Sequence, residues 1–200
     1  MALSPEAEKI RAELKDEITK FHEQSGGQIE AIGLLFSEMA RQPIPPQVIC
    51  QLLGMDEASV KQAFEAGNPP SATLEQLNDA VMKCVDPGDT VDMYKPIFER
   101  HIMRFENQKK VMKELGGALS EFHGKIGGDV SKIEKFFSDL APEPQRGQPM
   151  PEGMINALLR ISPDEKKCQM EDFLGCFERN LDLSDTVEII QPVLKKHLSA

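Results

Sequence analysis

The side chains in this sequence best suited to nucleophilic, acid–base or metal chemistry are four histidines and four cysteines, and the histidines are spaced in register. His22 returns 101 residues later as His123, and His101 returns 96 residues later as His197. Imidazole is the commonest protein metal ligand and titrates near neutrality. Two readings compete for each pair: symmetric ligand or metal sites, or core imidazoles bonded to backbone carbonyls. A helical step of about 100° places His101 among Met93, Ile97 and Phe98, and His197 among Ile190, Val193 and Leu194. Those two face inward, whereas His22 and His123 fall at the edges of their apolar faces. The candidate ligand-binding residues are therefore His101, His197, Met93, Phe98 and Leu194. No metal site is assigned; His22 and His123 are the residues a metal would use. No HExxH, ExxH or HxxxH pattern accompanies any of the four, which favours the structural reading.

Cys50, Cys84, Cys168 and Cys176 show neither CxxC spacing nor a neighbouring histidine, so zinc is not expected. Buried free thiols are the expectation, with a Cys84–Cys176 disulfide as the alternative, since only those two hold comparable places. GxSxG, a phosphate-cradling glycine loop and paired Rossmann glycines are all absent. DPGDTVD (86–92) carries acids but lacks calcium-loop spacing and its terminal Glu, and reads as a turn followed by a helix cap. With no nucleophile, base or oxyanion donor to name, the expectation is a non-catalytic protein. No cofactor is assigned.

The elements that position these residues are written twice. Phe21-His22 followed by Gly26-Gly27 recurs as Phe122-His123 followed by Gly127-Gly128. PIPPQVICQLL (43–53) recurs as PMPEGMINALL (149–159), and DTVDMYKPIFERHI (89–102) as DTVEIIQPVLKKHL (185–198). Three blocks in the same order predict two copies of one helical unit. Helical spacing is frequent and strand-like alternation is not sustained. The predicted fold is all-α: two tandem copies of a five- to six-helix bundle, related by an approximate two-fold axis. The predicted domains are 1–103 and 104–200.

The first helix starts at Ser4-Pro5, a cap with Pro in the first turn, and presents Ile10, Leu14, Ile18 and Phe21. Its counterpart presents Val111, Leu115, Leu119 and Phe122. Each Gly-Gly pair marks the turn into a second helix, where Ile29, Ile32, Leu35 and Phe36 match Val130, Ile133, Phe136 and Phe137. Prolines follow, read as rigid turns that start a third helix rather than as ligands for aromatic grooves. That helix carries Val48, Ile49, Leu52 and Leu53, answered by Met154, Ile155, Leu158 and Leu159. The copies then diverge: an extra short helix near 56–66, capped by Asp56 and closed by Gly67-Asn68-Pro69-Pro70, belongs to the first alone. This asymmetry makes Asp56, Glu57 and Phe64 the candidate partner-binding residues. A helix over 73–85 turns Leu74, Leu77, Val81 and Cys84 inward. Asp89 with Asp92, and Asp185 with Glu188, read as capping boxes opening the last helix of each copy, and Pro96 and Pro192 bend it. No firm turn signal separates 102 from the first helix of the second copy, so one long helix shared by both is expected.

Composition bounds the function. The chain has 200 residues, 40% hydrophobic and 28% charged, which is a globular balance. Its net charge of −10 argues against neutralising phosphates, so nucleic acid is not an expected partner. Residues 1–103 carry 9 Lys or Arg against 17 Asp or Glu, whereas 104–200 carry 14 against 16. With no Trp, the ten Met and ten Phe are expected to do much of the filling of the interior. The start lacks signal-peptide character and the longest apolar run, near 31–36, is too short to cross a bilayer, so the expected location is cytoplasmic without membrane insertion.

IEAIGLLF (29–36), LNDAVMKCV (77–85) and DTVDMY (89–94) resemble, in order, segments in one half of the dinoflagellate peridinin–chlorophyll proteins, which are duplicated all-helical pigment carriers. The family's pigment-associated His has no counterpart near 54–57. The resemblance implies a hydrophobic ligand. The expected function is an intracellular binding or scaffold protein acting through helical protein–protein contacts. The first alternative is a carrier of a hydrophobic small molecule or pigment in a cavity between the repeats; the second is metal binding through histidine.

Overall fold

Apolar residues at three- and four-residue steps give a helical rather than a sheet period, and among the described residues every regular element is a helix. The computed structural model describes residues 5–65, 70–86, 88–142, 144–151 and 153–199, with the backbone alone at 6, 7, 64 and 65. Among the described residues there are ten α-helices: α1 (Pro5–Ser25), α2 (Ile29–Met39), α3 (Pro46–Leu53), α4 (Glu57–Glu65), α5 (Leu74–Lys83), α6 (Val91–Ile126), α7 (Val130–Leu140), α8 (Met154–Leu159), α9 (Met170–Asn180) and α10 (Val187–Ser199). None is long and apolar enough to cross a membrane among those residues. Two compact units result, Met1–Phe105 and Glu106–Ala200. α6 is a single helix of 36 residues that crosses the boundary, and Gly116-Gly117 does not interrupt it.

In the first unit α1 packs on α5, and α3 on α2, α4 and α5. The core is the inward face that helical spacing picks out. Ile10, Leu14, Ile18 and Phe21 from α1 meet Ile32, Leu35 and Phe36 from α2, with Leu77, Val81 and Phe98. The second unit joins α7 to α8 and α10, and α8 to α9. Its core, built on Val111, Leu115, Leu119 and Phe122, is richer in rings: Phe122, Phe136 and Phe173 contact one another, and Phe177 contacts Phe136 and Phe173. Side chains of this size contribute roughly 1.5–3 kcal/mol each when taken out of water.

Several helix ends match the sequence reading and several do not. Thr73 caps α5 in a full capping box with Gln76, and Asp56 accepts the Ser59 amide ahead of α4. Pro46 begins α3. Pro151, however, does not begin α8; the helix starts three residues later, where the Met154 amide bonds the Pro151 carbonyl. Val48 and Met154, carried beside the buried Ile49 and Ile155, are both exposed, because these helices are too short to bury more than one stripe. Asp89 and Asp185 do not form capping boxes. Their carboxylates turn backward, accepting the Asp86 and Asp182 amides and closing the preceding turn. Ser4 and 66–69, where a cap and a closing turn were expected, lie outside the described residues.

Candidate functional site

Each Phe-His…Gly-Gly block builds the same local structure. Gly27 and Gly128 have φ of 68° and 69°, a left-handed conformation that ends a helix. In the first unit the chain crosses at Ala72, whose amide bonds Gly27 O at 2.8 Å; in the second it crosses at Cys168, whose amide bonds Gly128 O at 3.0 Å. A Cβ on either glycine would collide with the carbonyl oxygen of that crossing residue. The imidazole closes the arrangement from the helix side. His22 Nε2 donates to Ala72 O at 2.8 Å, and His123 Nε2 donates to Cys168 O at 3.1 Å. His123 also stacks on Phe173, with centroids 5.6 Å apart. In both histidines Nε2 is thus engaged by a backbone carbonyl.

The second histidine pair meets carboxylates. His101, buried beneath α2, has Nε2 3.0 Å from Glu38 Oε2 and its ring edge-on to Phe21. Glu38 also pairs with Arg100. Burial, helped by the nearby Arg104 and Arg100 cations, holds the His101 pKa down to about 4. A carboxylate alone would raise it, but Arg100 already neutralises Glu38, so the depressed direction prevails. His197 Nε2 lies 3.0 Å from Asp139 Oδ2, which also accepts Lys196 Nζ at 2.9 Å. The Lys196 hydrogen bond leads in holding the Asp139 carboxyl below its usual range.

Among the described residues no three His, Cys, Asp or Glu side chains converge on a position that could hold a metal ion. All four cysteines are free thiols. Cys168 Sγ lies 3.8 Å from His123 Nε2, a spacing that invites comparison with a nucleophilic pair. Burial pushes the Cys168 thiol up to about 11, and the Cys176 thiol likewise, so neither offers much thiolate near neutrality.

A concave feature of the first unit lies elsewhere. A cleft of about 400 Å³ opens between the end of α2, the end of α5 and the start of α6. Met39, Met93 and Ile97 supply its apolar surface, and Tyr94 stands with them. Arg41, Lys83, Asp86 and Asp89 supply its polar surface. The Tyr94 hydroxyl donates to the Asp89 carboxylate, and burial followed by that contact raises the phenol pKa. Lys83 Nζ is drawn away to Leu52 O, at 2.8 Å, at the end of α3. Arg41 follows α2 with φ 54°, exposed at the mouth.

Of the candidate ligand-binding residues, Met93 alone lines this cleft; it is 45% exposed, at the first turn of α6 rather than in the core. Phe98 and Leu194 are buried in the cores of the first and second units respectively. Asp56 and Glu57 are exposed beside α4, with the Asp56 carboxylate occupied by Ser59; the side chain of Phe64 lies outside the described residues. Sequence reasoning missed the cleft because its polar residues looked like punctuation. Arg41 follows a helix and Asp86 and Asp89 sit in a turn, all in segments that helical periodicity does not describe. Comparison of the chain with protein-family models, with curated proteins and with solved structures found no match.

Proposed function

We propose that this protein is a non-catalytic binding protein, and that the first-unit cleft receives one side chain of a partner protein as an anchor. The cleft is the observation that carries the reading. Its volume of about 400 Å³ accommodates a single large side chain with room for adjacent backbone. Two methionines line it, and Met adapts its three torsions to varied occupants. Anchors buried in such pockets dominate protein–protein affinity. The net charge of −10 supports a protein partner over a nucleic acid, and four free thiols support a reducing compartment such as the cytoplasm.

The two units are read as products of one duplicated module. Support comes from the recurring Phe-His…Gly-Gly crossing and from the recurring histidine–carboxylate pair, Glu38 with His101 and Asp139 with His197. The asymmetric α4, with Asp56, Glu57 and Phe64, is a second place where the first copy could meet its partner. Deleting 57–66 would separate that contribution from the cleft's.

A second reading, carriage of a small apolar molecule, is favoured by the volume and the Met39, Met93 and Ile97 surface. Selection of displayed random peptides against the whole protein tests the first reading. Peptides so recovered are expected to lose at least most of their binding when Met93→Glu is introduced. Peptides indifferent to that change would remove the cleft from the function. Native mass spectrometry of protein from its source tests the second, which needs an excess mass.

A further inference from the structure

Gly116 and Gly117 sit in the second-unit part of α6, and the folded structure gives no reason for either to be glycine. Both have helical backbone, not the left-handed conformation that Gly127 and Gly128 adopt. A Cβ at either would meet nothing within 4 Å, so no neighbour excludes a side chain. Each glycine weakens a helix relative to alanine, because it loses more backbone freedom on folding. Aligned on Phe21-His22 and Phe122-His123, the matching positions of α1 are Lys15 and Asp16. That turn carries a back-bonded hydroxyl in both helices: Thr19 donates to Lys15 O in α1, and Ser120 to Gly116 O in α6. Such back-bonding bends a helix. α6 adds two glycines there and α1 adds none.

The second unit grips α6 on either side of this turn. Ahead of it, Asn107 Nδ2 donates to Asp182 O at 2.7 Å and Gln108 Nε2 to Leu181 O at 3.1 Å, holding the turn that leads into α10. Beyond it, Lys125 Nζ donates to Leu198 O at 2.6 Å, in the last turn of α10. Both ends of α10 are thus tied to α6, and α10 has its own weak point between the ties. Pro192, exposed inside the helix, has no amide to donate. Proline, glycine and an inserted side-chain bond are the ordinary causes of a helix bend. We propose that the second unit bends about a hinge line through Gly116-Gly117 in α6 and Pro192 in α10. Residues 106–115 and the 181–185 turn swing together against the rest of the unit. The buried Leu115 and Ile190 lie on one side of the line, Leu119 and Leu194 on the other, so each side keeps its contacts as the angle changes.

Pulsed dipolar EPR on the full chain tests this, with spin-labelled unnatural amino acids at the exposed Glu106 and Glu121, which leaves the cysteines untouched. The native chain is expected to give two distances between the labels, the shorter from the bent state. In the chain carrying both Gly116→Ala and Gly117→Ala, the bent fraction should fall by roughly tenfold or more, the two glycine penalties combined. Pro192→Ala should reduce the same fraction. None of these changes threatens the fold: the alanine methyls enter open space, and Pro192 is exposed. One distance, the same in the native and double-alanine chains, overturns the hinge. Two distances that persist in the double-alanine chain overturn its placement at Gly116-Gly117. A bent fraction unchanged by Pro192→Ala removes α10 from the hinge line.

Discussion

His101 Nε2 and Glu38 Oε2 lie 3.0 Å apart beneath α2, and Arg100 holds the same carboxylate. The imidazole can therefore donate its hydrogen bond while neutral and gains little from a second proton. Its folded pKa, near 4, sits below the ordinary value of 6.5. The unfolded chain takes up that proton first as pH falls. The contribution of His101 is thus complete above pH 6.5 and is lost progressively down to about pH 4, on the order of 3 kcal/mol. Denaturant midpoints measured across pH 4–7 should slope downward toward acid, and His101→Phe should flatten that slope. An equal slope in the variant would assign the acid sensitivity to other groups.

Gly26 and Gly27 both have positive φ, but only Gly27 faces the Ala72 carbonyl; nothing lies near a Cβ at Gly26. Gly26→Ala should cost about 1 kcal/mol, the left-handed penalty alone. Gly27→Ala adds a backbone collision and should cost clearly more, with Gly128→Ala behaving alike. Chemical denaturation of the three variants gives the ranking. Equal costs at 26 and 27 would show that the crossing segment yields freely.

Each of the two crossing histidines holds a backbone carbonyl of the segment that crosses it. His22→Ala leaves the buried Ala72 carbonyl without its side-chain donor, and His123→Ala does so at Cys168. Each should destabilise its unit by about 1–3 kcal/mol. The amides of Ala72 and Gly27 should show faster hydrogen exchange in His22→Ala. Exchange that stays as slow as in the native chain would mean the backbone bond alone holds the crossing.

How much of this was legible follows from the kind of residue involved. The glycine pairs and their paired histidines stand out because left-handed turns and long-range repetition leave marks in a sequence. That each imidazole meets a carbonyl 50 or 45 residues away was not readable. The wheel that turned His101 inward turned Met93 inward too. The wheel treats all positions of a helix alike, whereas in the first turn of α6 Tyr94 reaches the core and Met93 faces the cleft.

Gly54 and Arg160 occupy the same place after α3 and α8, both left-handed, with φ of 66° and 58°. Glycine takes that conformation without strain and arginine does not. Arg160→Gly should stabilise the second unit by up to about 1 kcal/mol, and Gly54→Ala should destabilise the first by a similar amount. Thermal unfolding of both variants is the check. A loss of stability in Arg160→Gly would mean the arginine side chain contributes more than its backbone costs.

The amino-acid sequence alone determined the helices, their inward faces and the places where they must turn. Those depend on residue spacing, on glycine and on proline, which act over a few positions. Tertiary structure decided which polar groups meet: Glu38 with His101, Asp139 with His197, and the approach of two helix ends to α6 that opens the cleft. Such meetings arise between residues distant in the chain, where no local period records the partner.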